Sequence, residues 1–261
     1  MRMRITLETL APLSISRAKS TGNELRTASR IPGATWRGAL AAHLIAEREL
    51  GKSADENPDF QQLFLSDRVR FGDLRIEGRR PWPLSARGCT RNDKHPVVDL
   101  LTSTALRRSR PIECQHPDCG AKTGLPRGEY YVRDKYGFPM PAGPLRRITA
   151  HTAIAGRSLR VREAQFFSTE VLERQQNFEG ALWCTEAAEN AVRGAIGNGV
   201  RLTVGRGGTR GHGDALLTMA EPSAVDATAA IKRRLTKFNE PFRDSGEVAF
   251  TCTLVSPALD S

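Results

Sequence analysis

Residues 2–10 alternate strictly. Met3, Ile5 and Leu7 fall on one side and Arg2, Arg4, Thr6 and Glu8 on the other, the period-two pattern of a half-buried strand. Residues 14–30 (SISRAKSTGNELRTASR) are polar, basic and glycine-containing, and read as a solvent-facing loop. Ile31-Pro32-Gly33 is a hard turn into a helix, with Thr35 the expected N-cap and Trp36, Leu40 and Leu44 recurring at i, i+4 and i+8. Strand-like runs follow at 69–76, 147–155 and 178–184. A second helix is expected at about 186–197, with Ala188, Ala191, Val192 and Ala195 toward the core. A strand at 200–204, a glycine-rich loop at 205–213 and a strand at 214–219 come next. Between 80 and 145 the periodicity fades among prolines, glycines and arginines, and a stretch that long is functional or separately stabilised. Strands alternating with two helices around one insertion predict an α+β sandwich of the ferredoxin-like kind over 1–246, with 80–145 as the insertion. Residues 247–261 carry a further alternation (Val248, Phe250, Cys252, Leu254). It is either an extra strand of the same sheet or the first strand of a second copy of the fold.

Composition changes this picture in two ways. Of 261 residues, 39% are hydrophobic, enough for a core, while Lys+Arg 39 against Asp+Glu 29 leaves a net charge of +10. Such a balance excludes an acidic disordered chain and points to a polyanionic partner. No apolar run approaches the ~20 residues of a membrane span, and MRMRITLETL lacks the apolar region of a signal peptide, so a soluble, cytoplasmic protein without a membrane partner is expected. The five cysteines are an odd number for a disulfide framework, and three of them fall within 89–119. Cys89, His95, Cys114 and Cys119 are the expected ligands of a structural zinc ion, with His116 the alternative to His95. Pro117 and Gly120 shape the Cys114–Cys119 turn as a knuckle. Three thiolates and an imidazole would close the site and fold an insertion that lacks a core of its own. Cys184 and Cys252 sit in strand-like runs and read as buried packing residues.

Candidate binding chemistry lies elsewhere. In Val204–Gly213 (VGRGGTRGHG), Gly205, Gly207, Gly208, Gly211 and Gly213 interleave with Arg206 and Arg210. Glycine lets backbone amides approach a ligand, and the arginines supply forks for phosphate. The loop leads into a strand rather than a helix, so it is no dinucleotide fingerprint. In IPGATWRGAL, Gly33 and Arg37 mark a helix start whose amides favour an anion, and Arg17, Lys19, Arg26 and Arg30 add charge before it. Together the two bends are expected to flank one groove. His151, in a strand followed by Arg157, is a candidate general acid–base for RNA cleavage, as is His43; the alternative is a structural or RNA-contacting histidine.

These pieces in this order resemble the RAMP superfamily of CRISPR effector subunits. The matching stretches are IPGATWRGAL, FQQLFLSDRVRFGDL, PWPLSARGC, RITAHTAIAGR, AQFFSTEVLERQQNFEGAL and VGRGGTRGHG. The nearest likeness is to the type III-D subunit with a zinc-bearing insertion. The resemblance implies an RRM-like fold that holds CRISPR RNA by its backbone within a type III ribonucleoprotein and packs against sister subunits, with crRNA and target RNA as partners in antiviral defence. The alternative function is a metal-independent endoribonuclease acting on precursor RNA. Related backbone subunits cut target RNA with an aspartate in the loop before the IPG motif. Here that loop has Glu24 as its one carboxylate, so no cleavage by this subunit is expected. Aromatic residues are only 6% of the chain, so the composition favours tracking of the RNA backbone over base stacking on a sheet face. A chain closing on TCTLVSPALDS fits a split gene, a single-copy member or a piece of a longer protein.

Overall fold

The computed structural model describes residues 1–16, 24–101, 113–135, 138–154, 161–220 and 227–240. Strands β1 (Arg2–Thr9), β2 (Glu24–Leu25) and β3 (Arg30–Ile31) precede helix α1 (Gly33–Glu47). One turn, α2 (Pro58–Phe60), is capped by the Asn57 side chain and widens through Leu65 before β4 (Val69–Phe71) and β5 (Leu74–Ile76). Then come β6 (Arg80–Pro81), β7 (Ala86–Cys89), β8 (Val98–Asp99), β9 (Thr123–Gly124), β10 (Tyr130–Arg133) and β11 (Pro139–Ala142). The last elements are β12 (Arg146–Ile154), β13 (Val161–Leu172), β14 (Asn177–Cys184), α3 (Glu186–Ile196), β15 (Val200–Thr203), β16 (Asp214–Ala220) and α4 (Ala227–Asn239).

The chain divides into two compact units, Met1–Glu77 with Pro144–Ser223, and Gly78–Gly143 with Ala224–Ser261. The first is built on an antiparallel sheet in the order β15-β16-β1-β14-β5-β3, with β4 also paired to β14. Helix α1 leads from β3 toward β4 and β5, and α3 leads from β14 to β15. The alternation seen in the sequence is the reason one face closes. Met3, Ile5, Leu7, Phe178, Leu182 and Leu217 are buried on it, as are Trp36, Leu40 and Leu44 of α1 and Ala188, Ala191, Val192 and Ala195 of α3. Fully burying a side chain of this size contributes about 1.5–3 kcal/mol.

Two local expectations are corrected. Helix α1 begins at Gly33, not after Thr35. Pro32 sets the entry with φ −58°, and the first-turn amide of Gly33 donates to Asp73 Oδ1 at 3.1 Å, a cap supplied from another element. The run 69–76 is broken into β4 and β5, because Phe71 faces Leu182 whereas Arg75 faces Glu179, a one-residue slip at Gly72-Asp73. The bulge has a partner: Trp36 Nε1 donates to Gly72 O at 2.8 Å.

Strands β12 and β13 form a long hairpin with β2 alongside in parallel. A buried polar knot ties its base to the end of β1. Gln176 exchanges hydrogen bonds with Leu145 in both directions (2.6 and 3.0 Å), its amide N–H donates to Thr9 Oγ1 at 3.0 Å, and Thr9 Oγ1 donates to Glu173 O at 3.0 Å.

The second unit holds two small sheets, β8-β7-β9 and β11-β10-β6. Its cluster of buried residues is small: Cys89, Cys114 and Ala121, with Cys119 against them. Helix α4 follows from Ile231, Leu235 and Phe238 at helical spacing, and its Ile231 is exposed. No described helix is long and apolar enough to cross a membrane. The strand expected at 248–254, including Cys252, lies outside the described residues.

Candidate metal centre and nucleic-acid interface

In the second unit, β7 ends on Cys89, and the turn after it brings back His95, whose N–H donates to Asn92 O at 3.3 Å. Cys114 and Cys119 face it from a tight loop. Cys114 N–H donates to Ala121 O (2.7 Å), Cys119 N–H donates to His116 O (3.2 Å), and the loop reverses through Asp118 and Gly120, both at positive φ. One ligand atom from each of Cys89, His95, Cys114 and Cys119 lies within 4.8 Å of all the others. Cys89 Sγ and Cys119 Sγ are 3.7 Å apart, and Cys114 Sγ and His95 Nδ1 3.4 Å. Tetrahedral zinc with its usual bond lengths has S···S edges of about 3.8 Å and S···N edges of about 3.5 Å. The donor set therefore fits a tetrahedral ion and can hold a metal.

The surroundings are those of a thiolate site. Burial works against a charge on Cys89, but N–H groups of Asn92 and Arg91 (each 3.4 Å from its sulfur) and the neighbouring Cys119 and Cys114 outweigh it and bring the thiol down to about 6. At Cys114 the N–H of His116 favours the thiolate. Burial and the adjacent sulfurs of Cys89 and Cys119 prevail and leave that thiol above its ordinary value. Asn92 Nδ2 sits 3.1 Å from His95 Nε2 and orients the ring. His116, the alternative ligand, stacks on His95 (centroids 4.1 Å, 8° between planes) with its Nδ1 2.5 Å from Pro117 O, and the four donors that lie within 4.8 Å of one another include His95.

In the first unit, the glycine bend closes the β15–β16 hairpin. Val204 and Gly213 pair across its base (2.7 Å), and a short 3-10 turn at Gly208–Arg210 shapes its tip. Gly205 has φ +85°, and a Cβ there would lie 2.4 Å from Ser14 O. The close approach that glycine permits is thus to the protein's own backbone. Arg206 N–H donates to Ser14 O and Gly213 N–H to Pro12 O, both at 2.9 Å. The side chains of Arg206 and Arg210 are exposed, and neither has a hydrogen-bond or ion-pair partner among the described residues.

The other bend is already filled. Asp73 occupies the α1 start, accepting from Gly33 N–H and pairing through Oδ2 with Arg30 Nε at 3.0 Å. A Cβ on Gly33 would lie 2.0 Å from Phe71 O, so this glycine serves packing of helix on strand. Arg37 Nη2 donates to Phe64 O, and Arg26 pairs with Glu24 at 3.0 Å. Strand order sets the two bends apart, against the expectation that they flank one groove. The glycine bend lies at the β15–β16 edge and α1 starts beside β3 at the other, with β1, β14 and β5 between them. Intervening chain joins them: Ser14 pairs with Arg206, while Ile15 O accepts from Ala28 N–H at 2.9 Å.

Arg17, Lys19 and Arg157 lie outside the described residues. His43, on α1, is 3.5 Å from Glu47, an i,i+4 pair. His151 is a mid-strand residue of β12 opposite Phe167. Sequence reasoning missed Asp73 as the filler of the α1 start and helix α4. It missed Asn92 too, for which no sequence signal existed.

No family model matches the chain, and no curated protein does. Solved structures do. A chain of the type III-B Cmr-beta complex bound to cognate target RNA aligns with a TM-score of 0.51 at 15% identity, covering 84% of this chain and 97% of that one. A chain of the same complex in its apo state gives 0.52 at 12% identity, covering 85% and 98%. At that identity the likeness establishes the fold: a mixed α+β architecture around an antiparallel sheet.

Proposed function

We propose that this protein is a crRNA-binding structural subunit of a type III CRISPR ribonucleoprotein, a RAMP-type chain that grips the RNA by its backbone and assembles with other effector subunits around crRNA and target RNA. The observation that carries the reading is a pair of guanidinium groups, Arg206 and Arg210, without a partner among the described residues, on a bend whose geometry is fixed by hydrogen bonds to Pro12 and Ser14. Exposed arginines on a pre-shaped loop suit phosphate recognition, whereas Arg26, Arg30 and Arg37 are held by the protein. The strand order β16-β1-β14-β5, with α1 and α3 as the two connections, supports the ferredoxin-like assignment. The neighbouring fold comes from a complex solved with target RNA.

The Cys89, His95, Cys114 and Cys119 set is assigned to structural zinc, which would supply the second unit with the stabilisation its few buried residues do not. Three thiolates and one imidazole leave no open coordination position, and the metal serves folding, not cleavage.

The test is binding of single-stranded RNA to the full chain over a range of salt. Arg206→Ala with Arg210→Ala should weaken binding by about tenfold at moderate salt and flatten the salt slope by about 1.4, two phosphate contacts at about 0.7 each. Unchanged affinity and slope in a folded double variant would refute the reading.

A further inference from the structure

The sheet of the first unit has a second face. Opposite the helix-covered side, β1 presents Arg2, Arg4, Thr6 and Glu8, and β14 presents Glu179 and Trp183, with Ala181 buried between them. Register places two of these in one row with Arg70 of β4. Arg2 stands directly across from Trp183 on β1–β14, and Trp183 directly across from Arg70 on β14–β4. Directly opposed residues of antiparallel strands share a face, with Cβ atoms about 4.5–5.5 Å apart. Trp183 is 41% exposed, although Phe178, Leu182 and Cys184 of its own strand are buried. Its indole reaches over Gly72, where a Cβ would lie 2.8 Å from Cζ3 and 3.2 Å from Cη2. The bulge between β4 and β5 thus has a glycine where the ring needs room.

The charges on this row are also unspent. Arg4, one step along, is neutralised by Glu179 at 2.5 Å and Glu77 at 3.4 Å. Arg2 and Arg70 are exposed and have no hydrogen-bond or ion-pair partner among the described residues. A single exposed ring is ordinary, but an indole set between two guanidinium groups that lack partners among the described residues suits an anion that carries planar rings. An acidic protein surface would satisfy the arginines but leave the indole without a stacking partner. Single-stranded RNA satisfies both, since each phosphate comes with a base.

We infer that the open face of the sheet is a nucleobase-stacking site, with Trp183 stacking one base of single-stranded RNA and Arg2 and Arg70 holding the flanking phosphates. The inference rests on the RNA-binding reading and adds to it a contact with a base, at a site separate from the glycine bend.

The experiment compares binding of the full chain to a fluorescein-labelled single-stranded RNA and to an abasic ribose-phosphate oligomer of the same length. Trp183→Ala should weaken binding to the base-bearing RNA by about five- to hundredfold, leave its salt slope unchanged, and have no effect on the abasic oligomer. Trp183→Phe, which keeps an aromatic ring, should retain most of the affinity, and both variants should melt like wild type. Equal affinity of Trp183→Ala and wild type for the base-bearing RNA, while Arg206→Ala/Arg210→Ala still weakens it, would overturn the stacking site and leave the RNA-binding reading standing. An equal loss on both oligomers would overturn it as well, because the tryptophan would then act through the fold. Failure of the wild-type chain to bind either oligomer would remove the RNA-binding reading and this inference with it.

Discussion

Gly33 and Asp73 show how one residue decides what a motif does. The amides at the start of α1 invite an anion, and the protein supplies its own in Asp73, bracketed by Arg30. Asp73→Ala is expected to cost about 1–3 kcal/mol, because it strands both the amide and the guanidinium; urea unfolding of the two proteins measures this. Gly33→Ala drives a methyl to 2.0 Å from Phe71 O and should destabilise by about 1–3 kcal/mol or prevent soluble expression. Gln176 belongs to the same scale. Gln176→Leu removes the partner of both Leu145 backbone groups and is expected to lower the unfolding free energy by about 1–3 kcal/mol. The sequence announced Gly33 as special, but gave no sign that its neighbour would be Phe71; a residue 38 positions away is brought there by the sheet.

At the scale of elements, the Cys114–Cys119 loop and the β7 end are a knuckle whose shape comes from backbone hydrogen bonds and whose charge would come from thiolates. Elemental analysis should give about one zinc per chain, and Cys114→Ser should lose it. Chelation should speed amide exchange at Thr90 and Cys114, whose N–H groups close this loop. The pH dependence follows from the two thiols. Cys89 is ionised above about 6, whereas Cys114 titrates above its ordinary value. Metal binding must expel the Cys114 proton, so apparent affinity falls as the pH is lowered, by about tenfold per unit or more, and more steeply below about 6, where Cys89 is protonated as well. The β15–β16 hairpin carries a second pH effect. Arg201 beside Asp214 holds that carboxyl below the usual range, so the ion pair contributes above the ordinary carboxylate pKa and is lost as pH falls through the lowered one. The pair is largely exposed, and Asp214→Asn should cost under about 1 kcal/mol at neutral pH in thermal melts.

The whole molecule sets charge against shape. A net charge of +10 calls for a polyanion, but the folded chain spends much of its arginine on itself: Arg4, Arg26, Arg30, Arg48, Arg146, Arg147, Arg193 and Arg201 all form ion pairs with carboxylates. Of the guanidinium groups without partners among the described residues, those at the glycine bend and along the Arg2–Trp183–Arg70 row are the ones to which the proposal assigns RNA. Low aromatic content does not argue against the stacking site inferred above. Stacking needs one ring in the right place, and an average over 261 residues does not record position.

What the sequence alone determined is whatever depends on short-range spacing. Period-two and period-3.6 patterns give β1, β14, β16, α1 and α3 with their buried faces, and the turn residues around Cys114 and Cys119 give a knuckle, because these properties are settled within a few residues of chain. The out-of-phase position of Trp183 among Phe178, Leu182 and Cys184 was legible in the same way. Only the tertiary structure decided which strands are neighbours, and so decided that Asp73 fills the α1 start, that Gly205 meets Ser14, that Arg2 and Arg70 flank Trp183, and that the two glycine bends lie at opposite sheet edges. Strand order is a long-range pairing chosen by burial of the whole apolar face, and no local window of residues contains it.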